Sequence, residues 1–111
     1  MYVFDIDAIR RALEARESNW KEFLRVEGMS AGLYRLDAGS QDPQNPHTED
    51  EIYFITKGAA RFKTDETTQD VRAGSVIYVE ANREHRFVDI REDLEVLVVF
   101  APAEGSTRSR A

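Results

Sequence analysis

The sequence predicts an all-β fold, a sandwich or barrel with one short helix at its N-terminus. Three observations carry this. Beyond Trp20, apolar and polar residues mix in short runs as they do in half-buried strands. Turn-forming residues separate these runs. About eight such runs fill roughly 80 residues, the spacing of a β-sandwich or barrel. The 111 residues suffice for one core, and no repeat or second domain is visible.

Ile6, Ile9 and Leu13 recur at helical spacing behind Asp5 or Asp7, either of which can cap the helix. Arg10, Arg11, Glu14 and Arg16 then lie on its outer face, and residues 1–18 form the helical segment. After Ser18 and Asn19 the period changes. Trp20–Val26 and Met29–Leu36 read as strands, with Gly28 between them as a turn or bulge. The run DAGSQDPQNP that follows is a loop. Further strands are expected at Glu51–Lys57, Ala60–Lys63, Thr68–Arg72, Ser75–Glu80, His85–Ile90 and Leu94–Ala101. Thr64-Asp65-Glu66 and Arg91-Glu92-Asp93 are short enough to close hairpins. Residues 19–102 are thus one barrel domain, and 103–111, small and polar, a disordered tail.

The last strand is apolar on both faces: Leu94, Val96, Val98 and Phe100 on one, Leu97 and Val99 on the other. Its outer face needs cover, which either the N-terminal helix or a second subunit in a homodimer supplies.

Composition excludes several functions. A net charge of −6 repels a phosphate backbone, so nucleic acid is not an expected partner, and Arg108 with Arg110 is too thin a basic patch to change that. The absence of cysteine removes disulfides, thiolate metal sites and cysteine nucleophiles. The opening MYVFDIDAIRRALEARE is too acidic for a secretion signal, and no window has the length of a membrane span. A cytoplasmic protein without a membrane partner is expected.

Chemistry concentrates around the only two histidines. In NPHTEDEIYFITKG, His47 precedes Glu51 by four residues, where the loop turns into a strand. Period two puts Glu51, Tyr53 and Ile55 on one face and Ile52, Phe54 and Thr56 on the other. If the first set faces inward, Glu51 is a carboxylate in an apolar mouth and needs a proton, a hydrogen bond or a cation. His85 opens a later strand and shares a face with Phe87. Two imidazoles and a carboxylate meeting at one end of a barrel make a facial triad suited to Fe(II), Mn, Ni or Zn. The plainer alternative makes His47 a surface residue beside Glu49 and Asp50, with Glu51 turned outward. The run Glu49-Asp50-Glu51 lacks the spacing and glycine of an EF-hand.

Gly39, His47, Glu51 and Gly58 resemble the first motif of the cupins: glycine, five residues, His-x-His, three or four residues, glutamate, six residues, glycine. Gly74 and His85 match the second motif in register. The resemblance spans Gly39 to Asp89 and implies a double-stranded β-helix, or jelly-roll, barrel. It also implies a divalent transition metal held by His47, Glu51 and His85, and a small-molecule substrate. The departures are Asn45 for the first motif histidine, and Glu80, Asn82 and Asp89 in the second motif. Asn45 is a candidate fourth ligand, weaker than imidazole, or an Asx-turn residue; Gln44 or Gln41 could reach in instead. Asn82 can adopt the left-handed turn in place of glycine.

Tyr53 is the candidate acid or base, two residues deeper than Glu51. Phe62, Tyr78, Phe87 and Phe100 fill the core or line a cavity, and Glu80 with Arg83 either rims the mouth or belongs to a solvated turn before His85. Such proteins include dioxygenases, isomerases, decarboxylases and lyases. The alternative is a non-catalytic module that binds or senses a small ligand with a weakened or lost metal site.

Overall fold

The computed structural model describes residues 1–15, 18–44, 46–65 and 67–106. Among them one helix, α1 (Ile6–Ala15), precedes six strands: β1 (Trp20–Val26), β2 (Met29–Leu36), β3 (Asp50–Thr64), β4 (Thr68–Arg72), β5 (Val76–Val79) and β6 (His85–Ala101). Asp5 caps the helix, its carboxylate accepting the N–H of Asp7 at 3.0 Å. β1 and β2 form a tight hairpin around Glu27 and Gly28, with Val26 paired to Met29. The sheet order is β1-β2-β6-β3-β4, with β5 also on β3, and every pairing is antiparallel.

The expected eight strands are six, because two pairs are continuous. β3 runs through Gly58, and β6 runs through Arg91-Glu92-Asp93, which is not a hairpin. The charged triplet looks like a turn, but its backbone stays in the ladder: Glu92 pairs with Ala59, and Glu95 with Lys57. The register shifts between Ile55 and Arg61, so the ladder bends there instead of ending.

Gly58 makes the bend possible. Its φ of 97° lies in the left-handed region, and a Cβ placed there would stand 2.3 Å from the carbonyl oxygen of Asp93 on β6. The strands meet closely at this point because one of them has no side chain.

The bend folds the β3–β6 ladder over an apolar interior. Tyr53 from its first half meets Phe62 and Phe87 from its second, with ring centroids 5.7 and 5.4 Å away. Glu51, Tyr53 and Ile55 are buried, while Ile52 and Phe54 on the other face are 46% and 42% exposed. The inward orientation of Glu51 is therefore the one the fold adopts. Tyr78 is corrected: it is 64% exposed, because period two from buried Val79 sends it outward.

Leu94, Val96, Val98 and Phe100 enter the core, and Leu97 and Val99 are half-buried outside it. The helix covers part of that outer face, packing Ile9 and Leu13 on Leu33. It also reaches β6 itself, since Arg10 grips buried Glu95 with two hydrogen bonds of 2.6 and 2.7 Å. Burial alone would push the Glu95 carboxyl up, but hydrogen bonds from Arg10 and Thr56 outweigh it and hold it below its ordinary range. Along the same face Ile52, Phe54, Val76 and Tyr78 stay exposed.

Replacing Gly58 by alanine should destabilise the protein by at least about 2 kcal/mol in urea unfolding, from strained backbone and overpacking together. Gly28→Ala, with open space around its Cβ, should stay within about 0.5 kcal/mol. Equal effects at the two glycines would contradict the bend. The lowered Glu95 pKa stabilises the fold above the ordinary glutamate value, and that contribution fades as pH falls through the folded-state value. The gap between wild type and Glu95→Gln should therefore be about 1–2 kcal/mol at neutral pH, discounted for partial exposure, and should close in acid. A gap that does not change down to pH 3 would refute this assignment.

Candidate metal site

His47 lies in the loop before β3, Glu51 on the first turn of β3 into the interior, and His85 at the start of β6. Their backbones are tied together. Asn82 takes a φ of 63° and its N–H donates to the carbonyl of His47 at 2.6 Å. The N–H of Ala81 donates to the Asp50 carboxylate at 2.8 Å. The turn before His85 is thereby docked on the loop that carries His47, and Asn82 holds the left-handed position expected of it.

The side chains converge. His85 Nε2 stands 3.1 Å from Glu51 Oε1, and His47 Nε2 stands 3.9 Å from the same oxygen. One ligating atom from each of the three lies within 4.8 Å of the others. Glu51 and His85 are almost fully buried and His47 half-buried, its ring edge-on to Phe100 at 5.0 Å. Glu104 also approaches His47, with Oε2 3.5 Å from Nδ1.

This arrangement calls for a cation. His85 Nδ1 lies 2.7 Å from the backbone carbonyl of Arg83, so that nitrogen carries a proton. In a neutral ring Nε2 would then present a lone pair to the Glu51 carboxylate, two acceptors facing each other. A proton or a metal ion between them resolves the conflict. Burial opposes charge on His85, but hydrogen bonds to Glu51 and to Arg83 outweigh it and raise the imidazole pKa. Glu51 Oε2 is buried with no hydrogen-bond partner among the described residues, a costly position for a carboxylate oxygen. The donor set and the orphaned oxygen fit a divalent metal, which coordinates imidazole and carboxylate together.

Tyr53 borders the same point, its hydroxyl 2.9 Å from His85 Nε2 and 3.0 Å from Gln44 Oε1. Burial first, then the charge of Glu51, push its phenol well above the ordinary value. It is a neutral hydroxyl at physiological pH. Glu80 and Arg83 are exposed and pair with each other at 3.1 Å in the turn before His85. Asn45 lies outside the described residues. Of the two glutamines considered in its place, Gln41 is exposed, while Gln44 is half-buried and turned toward His47.

Sequence reasoning missed Asp42. It is only 3% exposed and accepts hydrogen bonds from the Tyr34 hydroxyl at 2.8 Å, the Phe87 N–H at 2.9 Å and the Gln44 amide at 2.8 Å. It pins the loop to β2 and to β6 beside His85. An aspartate before proline in a run of turn formers carries no signal of burial.

The Cupin domain family model matches residues 32–100 of the chain. This chain belongs to the cupin family. An uncharacterized protein of Streptomyces coelicolor is 45% identical over 104 residues, covering 94% of this cupin and 99% of that protein. A cupin-family protein with a double-stranded β-helix fold from Methanocaldococcus jannaschii superposes with a TM-score of 0.72 at 20% identity, over 100% of this chain and 95% of that one. The DMSP lyase DddQ from Ruegeria pomeroyi superposes with a TM-score of 0.67 at 18% identity, over 77% of this chain and 48% of that chain. This cupin therefore spans about half the length of that lyase. No helix among its described residues is long and apolar enough to cross a membrane.

Asp42→Ala should cost about 3 kcal/mol or more, because it strands buried donors on Tyr34, Phe87 and Gln44 that are each worth about 1–3 kcal/mol. Chemical denaturation measures it, and a loss under about 1 kcal/mol would show that these donors find other partners.

Proposed function

We propose that this cupin binds one divalent transition metal through His47, Glu51 and His85 and acts as a metal-dependent enzyme on a small molecule. The observation that carries this is the buried meeting of His85 Nε2 and Glu51 Oε1 at 3.1 Å, beside His47 and an orphaned Glu51 Oε2. A bound metal would supply Lewis-acid polarisation of a substrate oxygen or, with iron, dioxygen activation.

The chain's own groups support catalysis. Tyr53 keeps its proton and holds its hydroxyl within 3.0 Å of two site groups, so it can donate to an oxygen or carbanion that develops charge nearby. Phe62 and Phe87 close the interior behind Tyr53 and exclude water from that side. A groove of about 900 Å³ runs past Asp42 between the loop and the first half of β6, and of the three proposed ligands His85 lines it. It has the size of small-molecule pockets. Lys63 and Arg86 line it along with Asp65, Glu84 and Asp89, so it favours a polar ligand. A lyase that shares this fold supports reading such chemistry here.

Metal content by plasma mass spectrometry, before and after loading with Fe(II), Mn(II), Ni(II) and Zn(II), tests the reading. Wild type should hold close to one equivalent, and Glu51→Ala and His85→Ala should hold almost none. Dioxygen-uptake, isomerase and lyase screens then follow on the loaded protein. Absence of metal under every loading would sink the proposal and leave a small-ligand-binding module.

A further inference from the structure

We infer that Gln44 is a fourth ligand of this site, its side-chain oxygen completing a set with His47, Glu51 and His85. The inference rests on the metal site proposed above and names a residue beyond it.

A glutamine amide is ambiguous: one end accepts hydrogen bonds and the other donates. Asp42 removes the ambiguity. Its Oδ2 lies 2.8 Å from Gln44 Nε2, and a carboxylate selects the NH₂ end. Oε1 is left pointing the other way. There it lies 3.3 Å from His47 Nε2 and 3.0 Å from the Tyr53 hydroxyl. Asp42 is itself buried and fixed by Tyr34 and Phe87, so the orientation does not depend on a mobile surface group.

The spacing suits coordination. With metal–ligand bonds of about 2.1 Å, neighbouring donors stand about 3.0 Å apart in an octahedron and about 3.4 Å in a tetrahedron. The observed neighbours are 3.3 Å (Gln44 Oε1 to His47 Nε2), 3.1 Å (His85 Nε2 to Glu51 Oε1) and 3.9 Å (His47 Nε2 to Glu51 Oε1). Gln44 Oε1 thus stands at ligand spacing from His47 Nε2. A neutral carbonyl oxygen among two imidazoles and one carboxylate leaves the loaded site with a net charge of +1. It also makes the set harder than three imidazoles would, which favours Fe(II), Mn(II) or Zn(II) over Cu.

Tyr53 gains a defined role from this placement. Gln44 Oε1 accepts its proton in the metal-free protein. A cation held by that oxygen would compete for its lone pairs and weaken this hydrogen bond, leaving the Tyr53 hydroxyl able to donate to a substrate.

The test uses Zn(II) and Co(II) on the full chain. In a crystal structure of the Zn(II)-loaded wild type, Gln44 Oε1 should lie about 2.0–2.3 Å from the ion. An oxygen more than about 3 Å away, with water in its place, overturns the inference. In solution, Gln44→Ala should weaken Co(II) binding roughly 10–100-fold and change the visible ligand-field spectrum, with secondary structure by circular dichroism unchanged. Unaltered affinity and spectrum would also overturn it. The loaded wild-type structure decides the matter even if the variant folds poorly. Failure of wild type to bind either ion defeats the metal site as a whole, whereas binding that ignores Gln44 defeats this inference alone.

Discussion

The site depends on a folded ladder. Glu51 opens β3 and His85 opens β6, yet these strands are antiparallel partners, so the two residues stand at opposite ends of one set of pairs. His85 pairs with Thr64, thirteen residues along β3 from Glu51. On a straight strand that would be roughly 40 Å. Their side chains nevertheless meet at 3.1 Å. The ladder bends back on itself between Ile55 and Arg61, where the register shifts and where Gly58 passes the Asp93 carbonyl without a Cβ. Core, mouth and site all follow from that bend. The first half of β3 provides Glu51 and Tyr53, and the second half provides Phe62 behind them.

What the bend brings together is electrostatically unfinished. The contacts around His85 leave one conflict of acceptors: Nδ1 donates to a backbone carbonyl, so in a neutral ring Nε2 faces the Glu51 carboxylate with a lone pair, and the oxygens of Tyr53 and Gln44 stand at the margin. A core so dense in lone pairs is unfavourable unless something positive shares it. Two other buried carboxylates are satisfied by contrast. Asp42 collects donors from β2, from β6 and from its own loop, and Glu95 on the opposite face is neutralised by Arg10. The unmet demand at Glu51 Oε2 and His85 Nε2 falls on two of the residues that the cupin motifs single out.

Much of this was legible in the chain. Period two grouped Glu51, Tyr53 and Ile55 on one face, which the fold turns inward, and the left-handed turn at Asn82 was foreseen from its chemistry. The hairpin at Gly28 and the helix over Ile9 and Leu13 were read from local pattern. The errors share a cause. Arg91-Glu92-Asp93 has the composition of a turn, and Tyr78 that of a core aromatic, because composition reports preference and not pairing. A charged triplet continues a strand when its partner holds the ladder. A tyrosine faces water when its neighbour Val79 takes the interior.

By itself the sequence determined the class of fold, which residues share a strand face and the three residue types that converge, because periodicity and motif spacing act over a few neighbours. Which groups touch was decided by the tertiary structure. Glu51 and His85 are 34 positions apart, at the two ends of a ladder whose closure depends on one glycine. Asp42 and Gln44 lie in a run of turn formers that reveals nothing of burial, and they acquire their roles only because β2 and β6 stand behind the loop. Local pattern sets which way a side chain points along its strand. Long-range pairing sets what it meets.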